Sequence, residues 1–302
     1  METRLTLAKR LLTGDGAALD PARAASLLAA AADEGDAEAA ALLATVEAMG
    51  IAGPQSWERA FDWLDRAAAL GSESAQAQLL LLRREGGIAA LTASPPKQSL
   101  CDGPRIRIIE NFATPEECDW LMARAQGRLG PAKVLDQQTG REKTHPDRTN
   151  KAIELDPVAM DVVIQVIRAR IAAATNLPLP VFEPAQIMHY SVGEEFRPHY
   201  DFLTGEAEGW AAQLERYGQR IATFLLYLND DFEGGETEFP SIGISHRGGK
   251  GDALFFANVD PAGAPDRKTL HAGRPPASGQ KWILSQWIRN RTPAPAPAAA
   301  SA

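Results

Sequence analysis

Three residues of this chain, His199, Asp201 and His271, are of types that bind a metal, and their spacing lets them meet. In an extended strand, residues two apart face the same way, so the imidazole of His199 and the carboxylate of Asp201 can address one point in space. If a distant strand delivers His271, seventy positions further on, two histidines and one carboxylate hold one side of a metal and leave the other side open. That donor set is the one used by non-haem iron(II) in oxygen chemistry. Lys281 stands ten positions beyond His271, on what reads as the next strand.

Such a set needs rigid strands to hold it, and the pattern from Val181 onward supplies them. Strands are predicted over 181–190, 196–201, 220–228, 252–258, 268–272 and 281–289, separated by turns such as Glu233-Gly-Gly235 and Gly248-Gly-Lys-Gly251. Many short strands with Gly and Pro turns imply a sandwich or barrel, and a double-stranded β-helix (jelly roll) draws ligands from distant strands. Upstream, Arg105-Ile-Arg-Ile-Ile109 alternates as a strand does. Thr114-Pro-Glu-Glu117 is a helix start, with a Thr cap, Pro in the first turn and Glu at the third helical position. Asp156-Pro157 is expected to open a second helix, whose apolar residues Val158, Val162, Ile164, Ile167 and Ile171 keep mostly to one side through about Ala174. Both helices are expected to buttress the sheet.

Residues 1–91 are rich in Ala and Leu and match themselves at an offset of 36. Ala24, Leu28, Ala31, Ala32, Gly35 and Ala39 fall on Ala60, Leu64, Ala67, Ala68, Gly71 and Ala75. Small residues at these intervals let helices approach closely, and Gly ends each run, so each unit reads as a helix pair. The segment resembles the SEL-like helical repeats, relatives of the tetratricopeptide repeats, in two to two and a half copies, which implies a surface that recruits protein partners. Residues 92–104 carry the Pro and Ser of a linker, 105–291 form a second domain, and the Pro-Ala tail 292–302 is expected to be disordered. The fold class expected is therefore α+β, an N-terminal helical repeat domain followed by a jelly roll.

The composition narrows the function classes. A formal net charge of −8 argues against a nucleic-acid or anionic-membrane surface, either of which needs a basic patch. Two cysteines make no disulfide framework, and no apolar run has the length of a span or the placement of a secretory signal. A cytoplasmic protein with no membrane partner is the expectation.

The segment 105–291 resembles the catalytic domain of the prolyl 4-hydroxylases, members of the iron(II)- and 2-oxoglutarate-dependent dioxygenases. The matching motifs are Tyr190-x8-His199-x-Asp201, the run from Arg220 to Asp231, Gly234-Gly-Glu-Thr-Glu-Phe239, Gly251-Asp-Ala-Leu-Phe255, Leu270-His-Ala-Gly273 and Lys281-Trp-Ile-Leu-Ser-Gln-Trp287. The resemblance implies that His199, Asp201 and His271 ligate Fe(2+). It implies that Lys281 pairs with the distal carboxylate of 2-oxoglutarate, helped by the hydroxyls of Tyr190 and Thr223, and that Trp287 stands near that cosubstrate. The physics of Lys281 agrees, since a buried ammonium is costly unless an anion meets it. Arg148, in a polar loop resembling the family's substrate loop, is implied to help hold a peptide. O2 and 2-oxoglutarate would be consumed to hydroxylate a prolyl residue of a protein or peptide, giving succinate and CO2, with L-ascorbate as a supporting reductant. The presence of Asp201 argues for hydroxylation over halogenation, which would need that carboxylate gone. Two other readings stay open at this point: the same chemistry on a small molecule or free amino acid, and a jelly roll that holds metal without turnover while the repeats do the binding.

Overall fold

A computed structural model describes residues 2–292, which form two compact units, 2–94 with Leu155–Ala173 and Pro95–Glu154 with 174–292. The expected disordered tail lies, apart from its first residue, outside the described residues.

The first unit is helical: α1 (Arg4–Thr13), α2 (Pro21–Asp33), α3 (Ala37–Met49), α4 (Trp57–Ala69), α5 (Glu73–Leu82), the short α6 (Gly87–Thr92) and α8 (Val162–Thr175). Its starts are written in the sequence. Thr3, Asp20, Asp36, Ser56 and Ser72 each accept a backbone N–H three residues on, which satisfies one of the donors a helix leaves open. The offset of 36 has a geometric counterpart, because α2 and α4 begin 36 positions apart, as do α3 and α5. The equivalent pairs Ala24 and Ala60, Leu28 and Leu64, Ala31 and Ala67, and Ala39 and Ala75 are all buried. Gly35 and Gly71 reverse the chain in the left-handed region at φ 96° and 95°.

Helix α8 departs from expectation twice. It begins at Val162, five residues after Pro157, because Asp156 closes a turn of its own by accepting the N–H groups of Val158 and Ala159, and Asp161 then accepts from Ile164. It also groups with the helical unit and not with the strands. Gln78 accepts the Val162 N–H at 3.0 Å, and Arg170 donates to the Leu91 carbonyl at 2.9 Å. Among the described residues no helix is long and apolar enough to cross a membrane.

The second unit runs β1 (Gln98–Asp102), β2 (Arg105–Ile109), α7 (Pro115–Ala125), β3 (Gly130–Pro131), β4 (Lys133–Leu135), β5 (Glu142–Thr144), β6 (Lys151–Glu154), β7 (Gln186–Tyr190) and β8 (Phe196–His199). It continues through α9 (Glu208–Tyr217), β9 (Arg220–Tyr227), β10 (Glu233–Gly234), β11 (Thr237–Phe239), β12 (Ile244–His246), β13 (Ala253–Ala257), β14 (His271–Gly273), β15 (Pro276–Ser278) and β16 (Lys281–Arg289). A large antiparallel sheet has the order β1-β2-β13-β9-β16-β7-β6-β3, and a smaller one the order β12-β11-β14-β8, an arrangement consistent with a jelly roll. The core holds Ile106, Met188, Leu225, Phe239, Leu254, Phe256 and Ile283. Thr114 and Glu117 form the expected reciprocal cap on α7.

Part of the expected linker is strand. Only residues 93–97 run irregularly; Gln98–Asp102, Ser99 included, doubles back on β2 as an edge strand. The strand expected from Val181 starts only at Gln186, since Pro184 has no N–H for a ladder. The strand expected from Lys268 starts at His271, because Asp266 caps a 3-10 turn over Arg267–Thr269.

Candidate active site

Across the central ladder, Lys281 of β16 pairs with Tyr190 of β7, and Trp287 pairs with Thr223 of β9. The period of two then turns Lys281, Ile283, Ser285 and Trp287 to one face, where they line a cavity with Tyr190, Thr223 and the two histidines. The smaller sheet supplies the histidines directly, with His271 of β14 opposite His199 of β8. Strand β8 ends at His199, two residues short of the expected limit, and the Asp201 carboxylate enters from just beyond it.

One ligand atom from each of His199, Asp201 and His271 lies within 4.8 Å of the others. Asp201 Oδ1 stands 3.7 Å from His199 Nε2, and Oδ2 stands 3.5 Å from His271 Nε2. Both rings are oriented from behind. His199 Nδ1 lies 2.8 Å from the Arg197 carbonyl and His271 Nδ1 lies 2.9 Å from that of Thr269. A carbonyl only accepts, so each Nδ1 carries the proton and each Nε2 keeps its lone pair for a metal. Burial, and then the neighbouring His271, push His199 down to about 3, which holds it in the neutral, ligating form. Burial alone would raise the Asp201 carboxyl, but the two imidazoles, Arg220 and the Thr223 hydroxyl bring it below its usual value. Two neutral imidazoles and one ionised carboxylate are a donor set that fits iron(II).

Lys281 is 1% exposed. Burial pushes its ammonium down to about 7, only partly offset by Glu236. Its Nζ stands 5.3 Å from the Tyr190 ring and 5.9 Å from the Tyr227 ring, and among the described residues it forms no ion pair with a carboxylate. A buried cation between two aromatic faces fits an incoming carboxylate, the part a dicarboxylate would bring. Tyr190 is buried beside it with its hydroxyl pushed up to about 12 by burial, so it stays a neutral donor.

Thr223 is placed differently from expectation. Its hydroxyl donates to Asp201 Oδ2 at 2.6 Å, so its single hydrogen serves the carboxylate ligand and not the cosubstrate. Arg148 also departs from the reading of a loop side chain. It is 4% exposed, donates to Lys133 O, Gln186 Oε1 and Asn150 Oδ1, and lies 4.7 Å over the Phe196 ring. Trp287 lines the cavity and is covered by Arg220 at 4.0 Å; Arg220 in turn is held by Glu183, which Arg289 shares.

Outside the cavity lies a groove of about 650 Å³. Phe196, His199, Asp201 and Trp287 line both spaces, so the groove opens on the metal ligands. Its far wall is made by the 136–140 turn and helix α9, which hold each other. The backbone N–H of Trp210 donates to the Gln137 carbonyl at 3.1 Å, the Gln213 side chain donates to that of Gly140, and Gly209 packs where any side chain would strike the 138–140 backbone. The lid expected over 203–219 is thus largely helix α9.

Sequence reasoning missed Phe196, Tyr227 and Asn258. Phe196 stacks on His199 with ring centroids 3.4 Å apart, although three positions separate them. The pairing shifts register between His271 and Gly273, setting Arg197 and Pro198 of β8 against Ala272 alone of β14, and that bulge breaks the alternation that would place Phe196 and His199 on opposite faces. Tyr227 carried a signal, the same-face spacing from Thr223 and Leu225 along β9. Asn258 carried none.

Residues 185–289 match the family model of the 2OG-Fe(II) oxygenase superfamily. The chain is 35% identical over 202 residues to prolyl 4-hydroxylase 1 of Arabidopsis thaliana, covering 62% of this chain and 70% of that protein. It is 35% identical over 190 residues to the prolyl 4-hydroxylase subunit alpha-1 of Gallus gallus, covering 63% of this chain and 36% of that one. Among solved structures it is similar to the viral collagen prolyl hydroxylase of Paramecium Bursaria Chlorella virus-1 in its 2OG complex, at 28% identity and a TM-score of 0.47 over 63% of this chain and 98% of that one. On its sequence kinship with these curated prolyl 4-hydroxylases, and with a His-Asp-His triad of its own that could hold the metal, the chain belongs to the prolyl 4-hydroxylase family of iron(II)- and 2-oxoglutarate-dependent oxygenases.

Proposed function

We propose that the protein hydroxylates a prolyl residue within a peptide or protein chain, using O2 and 2-oxoglutarate and releasing succinate and CO2. The observation that carries the reading is the open groove leading onto His199 and Asp201, whose volume suits a peptide segment. Bound iron(II) supplies the redox chemistry that couples oxidation of the cosubstrate to hydroxylation. The chain does the rest. His199, Asp201 and His271 hold the metal on one side, and the carbonyls of Arg197 and Thr269 fix the tautomers that do so. Lys281 binds the distal carboxylate of 2-oxoglutarate, with Tyr190 beside it as a neutral hydroxyl donor. Phe196 and Trp287 wall the cavity where it meets the groove and limit the access of water to the reacting atoms. Arg148, packed against Phe196 and held by Lys133 and Gln186, lines the groove and supports its wall.

The helical unit reads as SEL-like repeats that recruit the target, and ascorbate sustains turnover by re-reducing stray ferric iron. Recruitment predicts a lower KM for an intact target protein than for a peptide spanning the same proline. The test of the main reading is incubation with iron(II), 2-oxoglutarate and a library of proline-containing peptides, read by mass spectrometry and succinate release. A gain of one oxygen on proline, matched to succinate, supports it. Turnover driven by a free amino acid or small molecule, with every peptide left unmodified, would overturn it.

A further inference from the structure

The core position just past β13 is occupied by an amide. Asn258 is fully buried, and its backbone is fixed on both sides, with its N–H donated to the Ile221 carbonyl at 2.8 Å and its carbonyl accepting from Asp266 at 3.0 Å. Its Nδ2 donates to Thr223 Oγ1 at 3.0 Å, and Thr223 Oγ1 donates to Asp201 Oδ2 at 2.6 Å. The direction of this chain is determined by counting hydrogens. An ionised carboxylate only accepts, so the one hydroxyl hydrogen of Thr223 goes to Asp201, and Thr223 must then receive a hydrogen from the amide. Flipping the amide would set two acceptors against each other. The Asn258 Oδ1 atom is buried and has no hydrogen-bond partner. A leucine of similar size would leave no such acceptor unmet, so what the amide adds at this position is its donated N–H.

We propose that Asn258 is a positioning residue for the metal centre: through Thr223 it ties down one oxygen of Asp201, so that the carboxylate presents a single oxygen to the metal. An untethered carboxylate can turn and give both oxygens, filling a coordination position that the cosubstrate or oxygen requires. The proposal rests on reading His199, Asp201 and His271 as the iron ligands. Partners of this outer kind govern metal affinity about ten- to a hundredfold.

The test uses the full-length protein, stripped of metal and titrated with cobalt(II), a spectroscopic stand-in whose visible absorption weakens as coordination number rises. Thr223→Val and Asn258→Leu are compared with wild type, with Thr223→Ser as the variant that keeps the hydroxyl. The expected result is a loss of cobalt affinity of about tenfold for Asn258→Leu and up to about a hundredfold for Thr223→Val, both with weakened absorption per bound ion, while Thr223→Ser retains wild-type affinity and spectrum. Thermal unfolding of the metal-free proteins accompanies the titration, and a variant that has lost its fold is judged on the Thr223→Ser and Thr223→Val pair. Thr223→Val binding cobalt within twofold of wild type with an unchanged spectrum would overturn the relay while leaving the iron reading intact. Failure of the wild type itself to bind would overturn the iron reading and the relay with it.

Discussion

Replacing Lys281 by Met should strengthen the resting fold and cripple its use. The ammonium is buried, lies between two aromatic rings and is pushed by burial from its ordinary 10.5 to about 7. At 1.36 kcal/mol per pH unit, that gap is a penalty of roughly 5 kcal/mol for holding the charge inside. Below pH 7 both the folded and the unfolded chain carry the proton, and the penalty is complete. Between about pH 7 and 10.5 the unfolded chain keeps a proton that the folded chain has released, so this group makes stability rise with pH across that window. A methionine of similar length has no charge to desolvate, so the exchange should recover part of that roughly 5 kcal/mol penalty. Binding of 2-oxoglutarate moves the other way. Loss of one partner of a buried charge pair costs about 2–5 kcal/mol, or roughly thirty- to several-thousandfold in affinity. In the wild type, the cosubstrate should bind equally well up to pH 7 and then weaken by up to about tenfold per pH unit, because it needs the protonated lysine. Calorimetry of the metal-free protein at pH 6 and pH 9, with anaerobic titration of 2-oxoglutarate into the metal-loaded protein, reads all three effects. A lower Tm for Lys281→Met at pH 6, or cosubstrate affinity within threefold of wild type, would refute the reasoning.

Other parts of the site respond in distinct ways. Arg148→Ala leaves Gln186 Oε1 and the Lys133 carbonyl without their donor and removes the cover of Phe196, and a loss of about 2–4 kcal/mol in urea unfolding is expected. Glu183→Gln breaks the carboxylate shared by Arg220 and Arg289 under Trp287; because it leaves buried guanidinium groups uncompensated, unfolding should report about 3–5 kcal/mol of lost stability, whereas a surface pair would show less than 1. At Gly235, φ is 68° and an added Cβ would stand 2.9 Å from Phe232 and 3.3 Å from the Lys281 stem. Gly235→Ala should therefore cost about 1–3 kcal/mol and raise the KM for 2-oxoglutarate more than that for peptide; an equal effect on both would point away from Lys281.

The metal triad was legible because its spacing is a statement about faces. His199 and Asp201 stand two apart and His271 falls on the strand that pairs with β8, so the ladder brings the histidines together and Asp201 joins them from just past the end of β8. Lys281, Tyr190 and Trp287 were legible through the family motifs, and the ladder places them on one face. What stayed hidden depended on competition between partners that no spacing encodes. The Thr223 hydroxyl has one hydrogen, and only the fold shows that Asp201 receives it. The apolar stripe of α8 says that the helix is buried but not against what, and its partners Gln78 and Leu91 lie some eighty positions upstream. Arg148 sits in a polar stretch that reads as surface, yet β4, β7 and Phe196 close around it. The stacking of Phe196 on His199 needs a bulge, and a bulge is a local departure from the very alternation used to read a strand.

The central claim is that His199, Asp201 and His271 hold iron(II) beside a 2-oxoglutarate site anchored on Lys281. It is tested most directly by anaerobic titration of the purified protein with iron(II) and then 2-oxoglutarate, following the visible metal-to-ligand charge-transfer absorption. The band should appear at one equivalent of each in the wild type, fail in His199→Ala, and require far more cosubstrate in Lys281→Met. Iron-loaded wild type that shows no band at saturating 2-oxoglutarate, or a band of full strength at one equivalent in both variants, would contradict the account.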